Sequence, residues 1–268
     1  MRAVSPLLLQ RYELKYIIPH SLVEPISKAI EDHCELDYHS QISPDQFYVI
    51  NSLYFDTPNF SLLMNKRKNL DPSFSLRVRS YGRFPVAPYY AEIKLKRNDF
   101  SNKMRAKLAT EDWAEVLRSG EIPEGMDGRS REYLSQFLFL LETHAATPKI
   151  LTQYRRKAYL SQVDGYARVT FDRDLRYQMD VDYDLKPDER QMNNYDCEDI
   201  FPHPDQDVIL ELKCEKRVPL WMIDLIRRFD LQRRSFSKYG NAINEAVIPP
   251  LPPTDLQPMF HSYARGAR

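Results

Sequence analysis

Glycine is scarce in this sequence, with 7 residues among 268. Glycine-rich loops cradle phosphates in P-loop proteins and open the dinucleotide-binding fold, and neither pattern occurs here. Proline is common instead, with 19 residues. These two classes of nucleotide-binding protein are therefore disfavoured.

Cysteine and histidine are also few and widely separated. Cys34, Cys197 and Cys214 lack the CxxC spacing, so we expect free thiols in a reducing compartment rather than a disulfide framework or a zinc site. The 6 histidines are scattered as well. Each is expected to be a surface or core residue rather than a metal ligand.

Neither an excess of one charge nor a long apolar run is present. Lysine plus arginine equals aspartate plus glutamate, at 38 each, which gives no support for a general binder of nucleic acid or membrane surfaces. Any basic site must therefore be a local concentration of charge. The sequence also contains no run of membrane-spanning length and no signal-peptide pattern, so we predict a soluble, cytoplasmic protein.

What the sequence does contain is a pair of segments, residues 74–81 and 90–97, in which apolar and charged side chains alternate. Arg77 and Arg79 lie on one face of the first segment, and Val78 lies on the other. Because side chains on a strand alternate between faces, each segment predicts a strand with one apolar and one charged face. The turn-rich connection between them favours an antiparallel pair.

The same pattern recurs along the chain. Further strands are predicted at residues 11–16, 47–56, 98–108, 149–161, 167–172, 176–183 and 208–214. Helices are predicted at residues 21–34, 59–66, 110–118, 130–144 and 220–231, with another helix starting at Ser237. Residues 184–207 are expected to form a long polar loop. We predict one domain over residues 1–248 and a proline-rich tail over residues 249–268.

The polar strand faces carry more cations than carboxylates, although the whole chain is neutral. Their charged residues are Arg11, Glu13, Lys15, Arg77, Arg79, Glu92, Lys94, Lys96, Lys103, Arg105, Arg156, Arg168, Asp172, Glu211 and Lys213. Two arrangements are open at this point: the charged face meets water, or the sheet closes with that face inward. Because a buried unpaired charge costs several kcal/mol, the inward arrangement requires a wet interior or a bound polyanion with its metal.

Eight short motifs occur in a fixed order along the chain. They are RYELKY at 11–16, SLYFDT at 52–57, LRVR at 76–79, EIK at 92–94, YRRKAY at 154–159, RVTFD at 168–172, LELK at 210–213 and FSKYG at 236–240. In their order and spacing they resemble the VTC (vacuolar transporter chaperone) domain family over residues 11–244. The family belongs to the triphosphate tunnel metalloenzymes, which include the CYTH phosphatases. The resemblance implies an α+β fold in which an eight-stranded antiparallel β-barrel forms a tunnel with a charged lumen, flanked by helices.

The resemblance also implies an enzyme, a phosphotransferase of the polyphosphate kinase type. It would use ATP and a divalent metal, Mn²⁺ or Mg²⁺, to extend inorganic polyphosphate. Its expected partners are ATP and polyphosphate, with no nucleic acid and no membrane segment in this chain, while a separate membrane-protein partner is left open. We expect a stand-alone version of the domain, without the SPX domain or membrane segments of eukaryotic relatives.

The same resemblance implies which residues form the site. The residues implied to grip the nucleotide and the growing chain are Lys15, Arg77, Arg79, Lys94, Arg156, Arg168 and Lys238. Those predicted to bind substrate in addition are Arg11, Lys103, Lys213 and Lys96. Glu211 is implied to be a metal ligand, and Glu13 and Glu92 are predicted as further ligands.

One departure from the related triphosphatases bears on the reaction. Those enzymes begin with a Glu-x-Glu-x-Lys pattern that uses two carboxylates for metal, and this sequence has Arg11 at the first of these positions. A cation there should weaken activation of a metal-bound water and favour holding polyphosphate. The alternatives are a tunnel hydrolase that cleaves triphosphate or nucleoside triphosphates, a non-catalytic polyphosphate-binding module, and a sheet whose charges only contact water.

Overall fold

The structure is a computed structural model that describes residues 11–97, 100–179, 181–195, 207–215 and 217–247. The predicted tail at residues 249–268 lies outside the described residues, and the predicted domain limits remain a prediction. None of the helices within the described ranges combines the length and the apolar character needed to cross a bilayer.

Ten strands are found in the described part of the chain. They are β1 (Arg11–Ile18), β2 (Cys34–Leu36), β3 (Tyr48–Asp56), β4 (Ser73–Tyr81), β5 (Tyr89–Arg97), β6 (Phe100–Leu108), β7 (Thr147–Ser161), β8 (Ala167–Met179), β9 (Asn193–Asn194) and β10 (Val208–Glu215).

Seven α-helices accompany them in the same residues, with a 3₁₀ turn (His20–Leu22) before the first. They are α1 (Val23–Ile30), α2 (Tyr38–Ile42), α3 (Ser61–Arg67), α4 (Trp113–Ser119), α5 (Gly128–Thr143), α6 (Leu220–Arg228) and α7 (Lys238–Val247).

Eight of the strands form one antiparallel sheet in the order β1-β10-β8-β7-β3-β4-β5-β6, and the short strands β2 and β9 pair with β7 and β8. The sheet curls so strongly that Lys94 on β5 reaches Glu13 on β1, with an Nζ to Oε2 distance of 2.9 Å. The predicted eight-stranded antiparallel fold is therefore confirmed. In the described residues the edge strands β1 and β6 are not paired with each other, so a salt bridge rather than a hydrogen-bond ladder spans this side.

Most of the apolar core lies on the outer face of the sheet, under the helices, while another cluster packs α7 against the inner face and includes Ile50, Tyr154 and Ile243. One cluster joins β3 to β6 with α4 and α5, and it includes Leu76, Val78, Ile93 and Phe137. A second cluster packs α1 and α6 against β1, β8 and β10. Burial of apolar surface, about 25 cal/mol per Å², is the dominant stabilising contribution, so these helices hold the apolar side of each strand outward. The charged side is left facing inward.

Two local predictions need correction. The strands expected at residues 167–172 and 176–183 are one long strand, β8, which ends at Met179 and pairs with β7 through a register shift near Arg155. The helix expected at residues 21–34 ends at Ile30, and strand β2 begins at Cys34. Helix α2 follows, and Asp37 caps its N-terminus by accepting a hydrogen bond from the Ser40 amide at 2.8 Å.

Candidate active site

The inner face of the curled sheet surrounds a cavity of about 450 Å³. Its lining in the described residues includes eleven cationic side chains but only three carboxylates, Glu13, Asp37 and Glu211. The cations are Lys15, Lys66, Arg77, Arg79, Lys94, Lys103, Arg105, Arg156, Arg168, Lys213 and Lys238. Because the whole chain is neutral, the fold has concentrated positive charge in this cavity.

Strand alternation places the first of these cations. Arg77 and Arg79 on β4 line the cavity, while Val78 between them is fully buried on the opposite face. The pairing of β4 with β5 sets Glu92 directly opposite Arg77. Side chains at directly opposed positions on adjacent strands lie close enough for contact, so the register itself forms the first ion pair.

The Glu92 carboxylate, which is 1% exposed, is neutralised by three cations. Arg77 approaches Oε2 with Nε at 2.7 Å, Arg105 approaches Oε1 with Nε at 2.7 Å, and Lys103 Nζ lies 2.7 Å from Oε1. Burial raises the pKa of Glu92, but the charges of Arg77 and Arg79 outweigh burial and hold that pKa well below its usual value. These contacts favour a role for Glu92 in orienting the arginines over the predicted role in metal binding.

Arg79 differs from its neighbours because no carboxylate of the described residues lies within ion-pair distance of it. Its side chain is 5% exposed, donates from Nε to Ser52 Oγ at 3.2 Å, and donates from a terminal nitrogen to Tyr154 Oη at 3.1 Å. A buried guanidinium with neutral partners and an open cavity before it is suited to binding an anion.

A second network is built on Asp172 of β8, which is fully buried. Arg156 donates to it in a bidentate manner, from Nε at 2.6 Å and from a terminal nitrogen at 2.7 Å. Lys238 Nζ, at the start of α7, lies 2.6 Å from Oδ2. The three side chains hold one another in place, and the two cations line the cavity while the carboxylate lies behind them.

Glu211 on β10 is the most enclosed carboxylate of the cavity lining. Lys213 donates to it at 2.5 Å, and Lys15, Arg156 and Lys238 lie 3.6 to 3.8 Å away. Burial raises the pKa of Glu211, but the charge of Lys213, followed by that of Lys238, outweighs burial and lowers it well below its usual value. Glu211 is therefore ionised, as a metal ligand must be.

Glu13 is the second carboxylate that faces the same part of the cavity. Lys15 lies between the two acids, with Nζ 3.4 Å from Glu13 and 3.6 Å from Glu211. Among the described residues no group of three or more acidic, histidine or cysteine side chains is close enough to form a complete metal cage. Two carboxylates that share one cation nevertheless fit the usual arrangement for Mg²⁺, which takes one or two carboxylates together with substrate phosphate oxygens.

Asp56, at the end of β3, connects helices α3 and α7 to the sheet by hydrogen bonds. Its carboxylate accepts hydrogen bonds from the Leu62 and Leu63 amides at 2.9 and 3.0 Å, and from the Tyr239 hydroxyl at 2.7 Å. This buried side chain therefore positions both helices. One consequence is that Lys66 on α3 is turned toward the cavity.

Sequence reasoning missed Lys66 because it lies on a helix, where strand alternation gives no signal. Within the described residues no carboxylate lies within ion-pair distance of its ammonium group. Burial lowers the pKa of Lys66 to about 8, and the charge of Lys94 acts in the same direction, while Tyr54 opposes it. A local signal was absent, because the orientation of α3 depends on contacts with residues far along the chain.

Tyr54 and Arg105 also line the cavity, although neither was among the predicted site residues. Tyr54 accepts a hydrogen bond from Arg77 at 3.0 Å. Burial raises the pKa of Tyr54, but the charges of Arg77 and Arg79 outweigh burial and lower it to about 8. Arg105 lines the cavity, and its alternation with Lys103 was the signal that could have placed it there.

The structure brings most of the sequence-derived site residues to this one cavity. Those in its lining are Lys15, Arg77, Arg79, Lys94, Arg156, Arg168, Lys238, Lys103, Lys213, Glu211 and Glu13. Lys96 is exposed and outside the lining, because it pairs with Ser73 at the end of the ladder. Lys96 is therefore left out of the candidate site. The Arg11 side chain lies outside the described residues, and its role remains a prediction.

Comparison with known families gives a match to the model described as the VTC domain, over residues 10–247. The Vacuolar transporter chaperone complex subunit 4 of Trypanosoma brucei brucei (strain 927/4 GUTat10.1) is 25% identical over 222 residues. The aligned part is 72% of this chain and 28% of that relative. This chain thus spans less than a third of the length of the curated relative it matches.

The solved structures that are similar at low sequence identity include the following two. PH1819 from Pyrococcus horikoshii OT3 aligns with a TM-score of 0.43 and 9% identity, covering 88% of this chain and 99% of that chain. HpAC1 from Hippeastrum, for which a dominant triphosphatase activity is described, aligns with a TM-score of 0.46 and 13% identity, covering 88% and 95%.

Proposed function

Because this chain belongs to the VTC domain family, we propose that it is a phosphotransferase that moves the γ-phosphate of ATP onto a growing inorganic polyphosphate chain. The observation that carries the proposal is the excess of cations in the cavity, eleven against three carboxylates. Glu92 and Asp172 behind the lining neutralise part of this charge, but eleven cations still face five carboxylates. A polyanion balances the remainder, and linked phosphates provide one ionised group after another along a narrow chain.

The chemistry of phosphoryl transfer suits this arrangement. Such transfer depends on positioning and on neutralisation of charge, with little covalent work for the protein. Arg77, Arg79 and Arg156 are placed to clamp the transferred group, because guanidinium groups bind phosphate oxygens in a bidentate manner. The terminal phosphate of the polyphosphate chain attacks the γ-phosphorus in line, and ADP leaves. No general base is required, because the attacking phosphate oxygen is already ionised near neutral pH.

The divalent cation, Mn²⁺ or Mg²⁺, would be held by Glu211 and Glu13 together with phosphate oxygens. When bound, it supplies further neutralisation of charge on those oxygens. Lys15 forms ion pairs with both carboxylates, and Lys213 forms one with Glu211. The lysines therefore keep both acids ionised and oriented toward the cavity.

Lys66 is the residue that would bind the acceptor phosphate. The charges that act on it are those of Lys94, Tyr54, Lys15 and Arg77. Along the inner face of β4, starting from the end near Lys66, the order of residues is Ser75, Arg77, Arg79 and Tyr81. Because consecutive residues on one face of a strand are separated by roughly 7 Å, an anion at Lys66 and one at Arg79 are at different depths. Two phosphate groups can thus be held in line.

Primer extension tests the proposal directly. Purified protein incubated with ATP, a divalent metal and a short polyphosphate primer is expected to release ADP and produce longer chains, which are resolved by gel electrophoresis. Lys94→Ala should lower the rate by about a hundredfold, as loss of one charge-stabilising donor commonly does. Lys107→Ala is the matched control, because Lys107 is exposed and lies outside the cavity lining.

Three outcomes would contradict the proposal. Release of orthophosphate without chain growth would indicate a hydrolase. Tight binding of polyphosphate without turnover would indicate a binding module. Equal rates for Lys94→Ala and Lys107→Ala would show that the cavity is not where transfer occurs.

Affinity for anions is expected to fall as pH rises from 7 to 9. The pKa values of Lys66 and Tyr54 are both about 8, so the cavity loses a positive charge and gains a negative one across this range. Bound anion favours the protonated forms, which predominate below pH 8. The dissociation constant of tripolyphosphate in EDTA, measured by calorimetry, should rise by about tenfold, since one pKa unit of coupling is about 1.4 kcal/mol.

The double variant Lys66→Met/Tyr54→Phe separates this effect from ionisation of the ligand itself. It should show a much flatter pH dependence than the wild type. Lys68→Met, which replaces an exposed lysine two residues farther on, should keep the wild-type profile. Identical pH profiles for the wild type and the double variant would refute the assignment.

A further inference from the structure

Four aromatic side chains line one end of the cavity, and we refer to His39, Tyr48, Tyr81 and Tyr90 as the aromatic mouth. All four are half-buried and contribute to the cavity lining. His39 and Tyr81 are stacked, with ring centroids 4.9 Å apart and an interplanar angle of 13°. The centroids of Tyr48 and Tyr90 lie 6.1 and 5.7 Å from that of Tyr81.

Strand register places these rings next to the cations. Tyr81 is the last residue of β4 and follows Arg79 on the inner face. Tyr90 on β5 pairs directly with Arg79. The guanidinium of Arg105 lies 4.5 Å from the centroid of the Tyr90 ring and donates a hydrogen bond to the Tyr81 hydroxyl at 3.0 Å. A phosphate bound at Arg79 is therefore adjacent to a set of aromatic rings on one side and to Arg77 on the other.

From this juxtaposition we infer that the aromatic mouth binds the base of a nucleoside triphosphate by stacking, with the γ-phosphate directed inward to Arg77. The inference rests on the proposed function, since it requires that the cavity takes a triphosphate. A core cluster would hide its rings from solvent, whereas these rings are half-buried at the cavity. Stacking on aromatic rings depends little on the identity of the base, because every base has a π face.

Two of the four polar groups of the aromatic mouth already have partners. The Tyr48 hydroxyl donates to Asp37 Oδ2 at 3.1 Å, the other oxygen of Asp37 accepts from the Ser40 amide, and the Tyr81 hydroxyl accepts from Arg105. Among the described residues of the mouth, this leaves the His39 ring nitrogens and the Tyr90 hydroxyl to form hydrogen bonds with the edge of a base. The mouth should accept adenine and guanine with similar affinity and bind pyrimidines less well, because their stacking area is smaller.

The test compares ATP with methyl triphosphate, which has a similar charge and no base. Both dissociation constants are measured by calorimetry in EDTA, where no turnover occurs. The wild type should bind ATP about tenfold more tightly, the order of one stacked base, and should bind GTP within a few-fold of ATP. The variants His39→Ala and Tyr81→Leu should lose this advantage and keep the affinity for methyl triphosphate.

The variants His39→Phe and Tyr81→Phe keep a ring and should retain preference for ATP, which separates stacking from a hydrogen bond. Equal affinity of the wild type for ATP and methyl triphosphate would overturn the inference without any variant and leave the proposed function standing. A parallel loss of both ligands in the ring-less variants would also overturn it, as it would show a purely structural role. Absence of binding for both ligands in the wild type would instead count against the proposed function.

Discussion

Replacing Asp172 with asparagine is expected to lower the free energy of unfolding by about 3–5 kcal/mol, the usual result of removing one partner from a buried ion pair. Asp172 is fully buried and neutralises both Arg156 and Lys238. Asparagine has nearly the same shape, so the loss is one of charge. It leaves two cations close together with only the more distant Glu211 carboxylate, at 3.7 and 3.8 Å, among the described residues. Urea denaturation at pH 7 measures the effect.

Asp174→Asn is the control on the same strand. Its carboxylate is half exposed and lies 3.6 Å from Arg155 and 3.7 Å from Arg173. Exposed pairs of this kind contribute about 0–1 kcal/mol, so a small change is expected. Tripolyphosphate should restore stability more strongly to Asp172→Asn than to the wild type, since a bound anion replaces the missing charge. Equal destabilisation by the two variants would show that the buried network does not hold the cavity together.

Arg79→Met is expected to reduce the turnover number for transfer by about a thousandfold, as removal of an arginine that stabilises the transferred phosphoryl group does in other phosphoryl-transfer enzymes. In free energy this is about 4 kcal/mol of barrier. Arg79 is buried, and among the described residues its hydrogen-bond partners are the neutral side chains of Ser52 and Tyr154. Its positive charge is therefore available to the substrate.

The same variant should change stability little in the absence of ligand. Methionine fills a similar volume, and loss of the repulsion between Arg79 and Arg77 offsets loss of the hydrogen bonds to Ser52 and Tyr154. Thermal unfolding without phosphate measures this second readout. Arg155→Met is the control, because Arg155 points away from the cavity and pairs with Asp45; its turnover number should be unchanged. Retained turnover together with lost stability in Arg79→Met would assign Arg79 a structural role.

The long strands, their charged faces and most of the residues that line the cavity could be predicted from the sequence. The period-two pattern identifies the inner face of each long strand, so alternation alone assigns Arg77, Arg79 and Lys94 to the charged side of the sheet. Motif order, rather than composition, indicated the family, and the family model confirms it. In long strands whose apolar faces are covered by helices, the alternation of apolar and charged residues is a local property that can be read from the sequence.

The short elements were less predictable. No element was predicted between residues 34 and 47, yet β2 and α2 form there. Strand β2 exists because β7 offers a free edge, with Cys34 opposite Ser161. A three-residue strand has little intrinsic preference, so its partner decides its conformation. Such pairing involves residues more than a hundred positions apart.

The sequence by itself determined which face of each strand is charged, because alternation follows from backbone geometry. Only the tertiary structure decided where along the cavity each charge lies. Lys94 and Lys96 share a face, yet one touches Glu13 on a distant strand and the other is exposed. Lys66 enters the cavity because Asp56 joins α3 to Tyr239, 183 positions away. Depth and helix orientation depend on register and docking between distant segments, and no local pattern encodes them.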